Sequence, residues 1–255
     1  KVVQPVRKSS FNSPTNAVEI PVLMYHHFDK EIKSGTIANP TIFHEQMKIL
    51  KRAGYTTVTE EDVIADYNGE KKLPKNPIMI TLDDGYVSNY EYVFPILKEL
   101  NMKATIFIIT DFIENPQNHP SPYPKLTWEQ LREMSDSGLV SFQSHTDNRH
   151  SRGINGKNTA DAEYEKHFLA DLLKSKRILE ERLGKPVTAF SYPNGEYSEV
   201  SEQIVKKAGF EMSFTTEPGM LDTSKNSLFR VNRINIHGNA SAEFILNTIE
   251  KLKKI

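Results

Sequence analysis

Short apolar runs alternate with amphipathic stretches along almost the whole chain. The runs are Ile20–Tyr25, Tyr55–Val58, Ile78–Leu82, Ala104–Ile109, Leu139–Phe142, Val187–Tyr192, Phe210–Phe214 and Arg230–Ile236. They are bounded by Gly, Pro, Asn or Asp, which is the pattern of buried strands. Between them, apolar residues return at helical spacing. Phe43, Met47 and Leu50 share one face of a helix that starts near Thr41 and stops at Gly54. Tyr92, Ile96 and Leu100 do the same for residues 89–100, and Phe168, Leu172, Leu173, Ile178 and Leu183 for the longest helix, 161–183. Thr59, Thr127 and Ser241 stand where N-caps belong, and Gly138, Gly184 and Gly209 where helices stop. Residues 114–125, with four prolines, predict a loop, as does the polar stretch from Thr146 through Asn158.

About eight strands alternating with helices imply parallel strands joined by crossover helices. The polar clusters then fall in one place. His26, Asp83–Asp84, Asp111, His145, Tyr192 and His237 all sit at or just past the carboxyl end of a strand. In a (β/α) barrel those ends share one face, and that face carries the active site. An open doubly wound sheet gathers such groups only at its switch point. The wide spread of the clusters favours a distorted α/β barrel with about seven to eight parallel strands. A length of 255 residues suits one such domain, expected over 20–255. Residues 1–19, rich in Lys, Ser and Asn with Pro5 and Pro14, read as an N-terminal spacer.

Composition narrows the partners. With 32 Lys+Arg against 33 Asp+Glu there is no electrostatic case for nucleic acid. The absence of cysteine removes disulfides, thiolate metal sites and thiol nucleophiles together. No apolar stretch approaches the roughly 20 residues that span a bilayer. The chain begins at Lys1 rather than Met, so it reads as a mature or trimmed form whose signal or anchor lies outside it.

Candidate chemistry centres on Ile78-Met79-Ile80-Thr81-Leu82-Asp83-Asp84-Gly85-Tyr86. Alternating side chains inside a strand cannot both aim at one spot, but at a strand end with a glycine turn they can. One carboxylate then holds a metal while the other stays free as a base. An ordinary surface Asp-Asp-Gly turn is the plain alternative. His145 and His150 are five apart, which matches neither a helix face nor a strand face. They converge only if Thr146 to Arg149 turn. With Asp84 they would complete a His₂-carboxylate set, a zinc pattern that leaves a position open for water. Asp83, left unligated, would take the proton as that water attacks.

These residues carry a resemblance. Thr81-Leu82-Asp83-Asp84-Gly85 closely resembles the Thr-Phe-Asp-Asp-Gly signature of the polysaccharide deacetylases, carbohydrate esterase family 4 with its NodB-homology domain. Ser144-His145-Thr146 resembles the second motif of that family and Phe190-Ser191-Tyr192-Pro193-Asn194-Gly195 the third, over roughly Ile20 to His237. The five-residue histidine spacing and Val22-Leu23-Met24-Tyr25-His26-His27 are similar to the branch that de-N-acetylates poly-β-1,6-N-acetylglucosamine. The resemblance implies Asp83 as general base, and Asp84, His145 and His150 as ligands of a divalent metal, zinc first, with cobalt or nickel fitting the same ligands. It implies the backbone N–H of Tyr192 as an oxyanion donor. For the general acid it offers His237 in the common layout and His26 in the biofilm branch, with the balance toward His26; alternation turns His27 away as structural. Where common members begin the third motif with an Arg paired to the base, this chain has Phe190. Arg233 is the expected substitute, an ordinary rim salt bridge being the alternative. Trp128 is expected to pack its helix onto the barrel, and Tyr86 and Tyr197 to flank a sugar groove or simply be solvated.

The expected activity is hydrolysis of N-acetyl groups on N-acetylglucosamine residues of a polysaccharide, by a monomer outside the cell or attached to its surface. Poly-β-1,6-N-acetylglucosamine is the preferred substrate, with peptidoglycan or chitin oligomers as alternatives. A glycosidase needs two carboxylates on opposite sides of a bond, which adjacent Asp83 and Asp84 do not offer. A non-catalytic carbohydrate-binding domain has no need of the full Asp, Asp, His, His set.

Overall fold

Alternation within each strand creates two layers of core. The structure, a computed structural model, describes residues 18–32, 34–150, 162–225 and 227–253. The expected spacer therefore lies almost wholly outside the described residues, as does the excursion after Ser151. The eight predicted strands form as β1 (Val22–Tyr25), β2 (Thr56–Val58), β3 (Pro77–Leu82), β4 (Ala104–Ile108), β5 (Val140–Ser144), β6 (Ala189–Ser191), β7 (Met212–Pro218) and β8 (Val231–Asn235). All pair in parallel, in the order β1-β8-β7-β6-β5-β4-β3, and β3 returns to β1 to close a barrel of seven strands. The eighth, β2, lies beside only the first half of β3 (Thr56↔Pro77 to Val58↔Met79), because β1 takes the second half up to Tyr25↔Leu82.

Inside the barrel, Val22, Met79, Phe107, Ala189, Met212, Phe214 and Val231 pack on one another. Their neighbours in sequence, including Leu23, Ile78, Ile80, Ile106 and Phe190, face outward to the helices. Every residue of β3 is buried, as a strand covered on both faces requires. The outer layer comprises α1 (Pro40–Arg52), α2 (Glu60–Tyr67), α3 (Phe94–Leu100), α4 (Thr110–Glu114), α5 (Trp128–Asp136), α6 (Ala162–Leu183), α7 (Glu199–Lys207) and α8 (Ala242–Leu252). The side chain of Asn39 caps α1, with Pro40 in its first turn, and Phe43, Met47 and Leu50 are its buried face, as their spacing predicts. Trp128 is buried at the start of α5, as expected. Two predicted boundaries shift. The helix expected over 89–100 opens as a π turn, Asn89–Val93, with the Phe94 N–H reaching Asn89 O. Pro95 lacks the N–H that a regular α turn needs there. The proline-rich loop contains one short helical turn, Pro116–Asn118, just after α4.

The distortion of the barrel is local. Between β5 and β6 the ladder is reduced to the pair Ser144↔Phe190. The Gln143 carboxamide oxygen fills in, accepting the Thr188 and Ala189 N–H groups at 2.9 and 2.8 Å. Its nitrogen donates to Glu60 at 2.7 Å, which also accepts Thr105 Oγ1 at 2.6 Å and the Ser141 hydroxyl. That polar knot closes the amino-terminal end of the barrel and leaves the carboxyl end to carry chemistry.

Candidate active site

The carboxyl ends of the strands surround a cavity of about 390 Å³. Its floor is a buried ion pair. Asp83 and Arg233 are both inward-facing residues, 2 % and 0 % exposed. Arg233 Nη1 donates to Asp83 Oδ1 at 2.8 Å and Nη2 to Oδ2 at 2.7 Å. The other guanidinium donors reach Thr215 O (2.7 Å), Thr81 Oγ1 (3.3 Å) and Ser191 Oγ (3.0 Å). Burial alone would raise the Asp83 carboxyl, but the Arg233 charge and its forked hydrogen bonds outweigh it and hold the group at about 2. Asp83 is therefore ionised at neutral pH although it is almost wholly buried. The expected partner for Asp83 is in place, as a bidentate pair and not a rim contact.

Asp84 points elsewhere because its backbone is left-handed, with φ 74°, followed by Gly85 at 64°. That conformation disfavours residues with a Cβ and costs about 1–2 kcal/mol. It turns the second carboxylate out of the strand toward His145 and His150, whose Nε2 atoms lie 3.5 and 3.2 Å from Asp84 Oδ1. The turn from Thr146 to Arg149 does bring the two imidazoles together, with ring centroids 5.0 Å apart. One ligand atom from each of the three residues lies within 4.8 Å of the others. His145 Nδ1 is committed to Ser191 O at 2.7 Å, which fixes the tautomer and leaves Nε2 with a lone pair aimed at Asp84. Burial pushes the His145 imidazole down to about 4, so it is neutral at pH 7. Burial works to raise Asp84, but His150, Lys125 and His145 together hold it well below the usual carboxylate range. Asp84 Oδ1 is buried and has no hydrogen-bond partner. An orphaned carboxylate oxygen facing two imidazole nitrogens fits a divalent cation of the zinc type.

The structure separates the two candidate acids. His26 lines the cavity, and its Nδ1 is buried without a hydrogen-bond partner. His237 is exposed, outside the cavity lining, on the loop after β8. His27 does not turn away as alternation predicts. The chain leaves β1 at His26, and His27 enters a separate short pairing, His27–Phe28 with Ile37–Ala38. It also reaches the cavity, with Nδ1 2.9 Å from Ser88 Oγ and its ring against Tyr86 and Tyr123.

Two expectations on the third motif need correction. The Tyr192 N–H donates to Phe214 O at 2.9 Å, extending the β6–β7 ladder, so it has no hydrogen left for an oxyanion. Two residues on, Asn194 adopts φ 57° and lines the cavity. Gly195 follows at φ 71°, where a Cβ would strike the Thr216 backbone nitrogen at 2.7 Å. The residue that faces Asp83 is also not Phe190. Phe190 packs outward against Phe168 and Phe210, while Ser191 reaches Asp83 Oδ2 at 3.4 Å and Arg233. Parity along β6 carried that signal, since Ala189 and Ser191 must share the inner face. Of the two tyrosines, Tyr86 lines the cavity under Lys125, whose Nζ lies 3.4 Å from the ring centroid. Tyr197 instead packs on Tyr192 and under Arg230. Asp111 pairs with His119 at 2.7 Å, away from the cavity lining. Tyr123 and Ser34 line the cavity from loops that carry no strand-end signal, and Thr216 lines it from β7.

The sequence profile of the family described as polysaccharide deacetylase matches residues 70–213, which contain Asp83, Asp84, His145, His150 and Ser191. A Bacillus subtilis (strain 168) protein, YxkH, whose name places it provisionally among polysaccharide deacetylases, is 31% identical over 260 residues, 99% of this chain and 85% of its own. A Staphylococcus aureus (strain MRSA252) protein named poly-β-1,6-N-acetyl-D-glucosamine N-deacetylase is 29% identical over 200 residues, 78% of this chain and 68% of that one. This chain spans only 35% of an Escherichia coli (strain K12) protein of the same name, at 28% identity. Among solved structures, the Streptococcus pyogenes deacetylase PplD in complex with acetate superimposes with a TM-score of 0.77 at 29% identity, over 91% of this chain and 99% of that one. With a profile match across the aspartate and histidine motifs and a barrel that superimposes on a solved deacetylase, this chain belongs to the polysaccharide deacetylase family.

Proposed function

We propose that the chain is a metal-dependent N-deacetylase acting on N-acetylglucosamine residues of a polysaccharide, with poly-β-1,6-N-acetylglucosamine as preferred substrate. The observation that carries this reading is the division of labour between adjacent carboxylates. Asp83 is held ionised by Arg233, and Asp84 is turned by its left-handed backbone toward His145 and His150. Asp84, His145 and His150 would hold the metal. Bound there, a divalent cation supplies Lewis acidity to an acetamide carbonyl and to an attacking water. Asp83 accepts the proton of that water as its oxygen bonds to the acetyl carbon. The backbone N–H of Asn194, a cavity-lining residue, would donate to the developing oxyanion. His26 then gives a proton to the leaving nitrogen, since an amide anion does not depart unprotonated. The products are acetate and a free amine on the sugar.

The substrate preference rests on the names of the Staphylococcus aureus and Escherichia coli relatives and on His26 lying at the cavity. Such a polymer places the enzyme outside the cell or on its surface. No helix among the described residues is long and apolar enough to cross a membrane. The deciding experiment is acetate release from β-1,6 and β-1,4 N-acetylglucosamine oligomers after chelation and re-addition of Zn²⁺, Co²⁺ or Ni²⁺. Activity should vanish with the chelator, return with metal, and be faster on the β-1,6 oligomer. No acetate from any oligomer with any metal would sink the reading. Faster release from β-1,4 oligomers would shift the substrate to chitin or peptidoglycan.

The acid assignment has its own check. His26→Ala should lower kcat by about 100-fold or more, within the usual range for a lost acid–base group. His237→Ala should leave kcat within about twofold, as expected for an exposed side chain outside the cavity. The reverse result in steady-state acetate release would move the acid to His237.

A further inference from the structure

We infer that Asp171 of α6 is a positioning residue for His150: its carboxylate holds the turn that brings this imidazole back beside His145. The inference rests on the metal-site reading above but concerns a group that touches neither metal nor substrate. The turn is strained at its first residue. Thr146 has φ 80°, which a β-branched residue adopts only when its surroundings over-determine it. Asp171 supplies that constraint. Its Oδ1 accepts the Asp147 N–H and its Oδ2 the Asn148 N–H, both at 2.9 Å. Two successive amides bound to one rigid carboxylate have their directions fixed relative to α6. The same helix grips the turn again one turn on, where Lys174 Nζ lies 2.6 Å from Asp147 Oδ2. From the other side, the start of α4 docks on the turn. The Thr110 N–H donates to Thr146 O at 3.2 Å, and the Thr110 hydroxyl to Asp147 Oδ1 at 2.7 Å. His145 is fixed independently by its strand and by Ser191 O. Of the two imidazoles, His150 is the one that depends on the turn.

The ionised carboxylate holds this arrangement at a cost in stability. Burial pushes Asp171 up to about 6, despite the two amides that work the other way. A carboxyl whose folded-state pKa lies above its unfolded value binds its proton more tightly when folded. Its ionised form therefore lowers folding stability as pH rises through that range. The charge is retained at neutral pH where it costs stability, and what it does there is direct two amides.

The test is Asp171→Asn, which keeps one acceptor oxygen and sets an NH₂ against the other amide. On metal-stripped protein, the Kd for Zn²⁺, measured by competition with a chromophoric chelator, should rise by about 10- to 100-fold, the usual effect of losing a group that orients a ligand. The visible absorption of the Co²⁺-loaded protein should change in band position or intensity. Lys174→Met, which releases Asp147 without stranding a backbone amide, should weaken Zn²⁺ by a smaller factor and decides the matter if D171N does not fold. Wild-type Zn²⁺ affinity and Co²⁺ absorption in the folded variants overturn the inference, whatever happens to melting. A wild-type protein that binds no Zn²⁺ overturns the metal-site reading instead.

Discussion

Asp83→Asn should lower kcat by roughly 100- to 10,000-fold, the range that follows loss of a positioned general base. It should leave Zn²⁺ bound, because the cluster facing the cavity is Asp84, His145 and His150 and does not include Asp83. Asparagine keeps the shape and one acceptor oxygen, but it takes no proton from an attacking water. It also leaves the Arg233 guanidinium, fully buried, without its counter-charge. The same variant should therefore melt at lower temperature, since stranding one partner of a buried ion pair costs about 3–5 kcal/mol. Measuring acetate release, bound metal and melting together separates the two effects. Lost activity with metal still bound assigns Asp83 to the proton. Lost activity with lost metal would place both aspartates in the ligand set, and the division between them would fail.

That division was readable in the sequence only as a possibility. Asp-Asp-Gly after an apolar run says that two carboxylates meet a turn, not which way each points. The backbone of Asp84 decides, at φ 74°, and no residue type announces a left-handed aspartate. The strands were legible because a barrel strand is buried on both faces and reads as a nearly continuous apolar run, as Pro77–Leu82 does with Thr81 as its one polar residue. Arg233 was legible as the partner of Asp83 because it is a lone arginine inside a mostly buried last strand, and a buried guanidinium needs a carboxylate. Ser191 was missed by one position although strand parity points to it, since Ala189 packs inside and Phe190 outside. Tyr192 was misassigned because nothing in the string shows that the β6–β7 ladder runs one residue further, to Phe214 O. His27 defeated parity for the converse reason, the chain having left its strand one residue earlier. Asp171 and Lys174 look like ordinary charged positions on a long helix. Their part depends on which loop the helix packs against, and that is a tertiary fact.

Arg233→Met should also cost the fold heavily, and its pH dependence has a definite sign. Methionine approximates the arginine stem, so the cavity left is small and the effect is electrostatic. In the wild-type protein Asp83 titrates at about 2, below its ordinary value of 3.8. Such a carboxyl contributes stability above its unfolded pKa, and the contribution is lost as pH falls through the folded value. Without Arg233 the burial remains and the counter-charge does not, so the Asp83 pKa rises above the ordinary value. The sign of its contribution then reverses. The ionised group costs stability at neutral pH, by about 3–5 kcal/mol for a stranded buried charge, and the cost shrinks as acid protonates it. Thermal melts should show the wild type losing stability below about pH 4, while the variant is weakest near neutrality and recovers toward acid. The acidic limb of kcat/KM should move to higher pH in the variant, because its base stays protonated over a wider range. Adding Asp83→Asn to Arg233→Met removes the stranded charge and should restore part of the lost stability, a coupling that two independent sites would not give. An acidic limb unchanged in Arg233→Met would assign that limb to another group in the site and would separate the salt bridge from the catalytic proton.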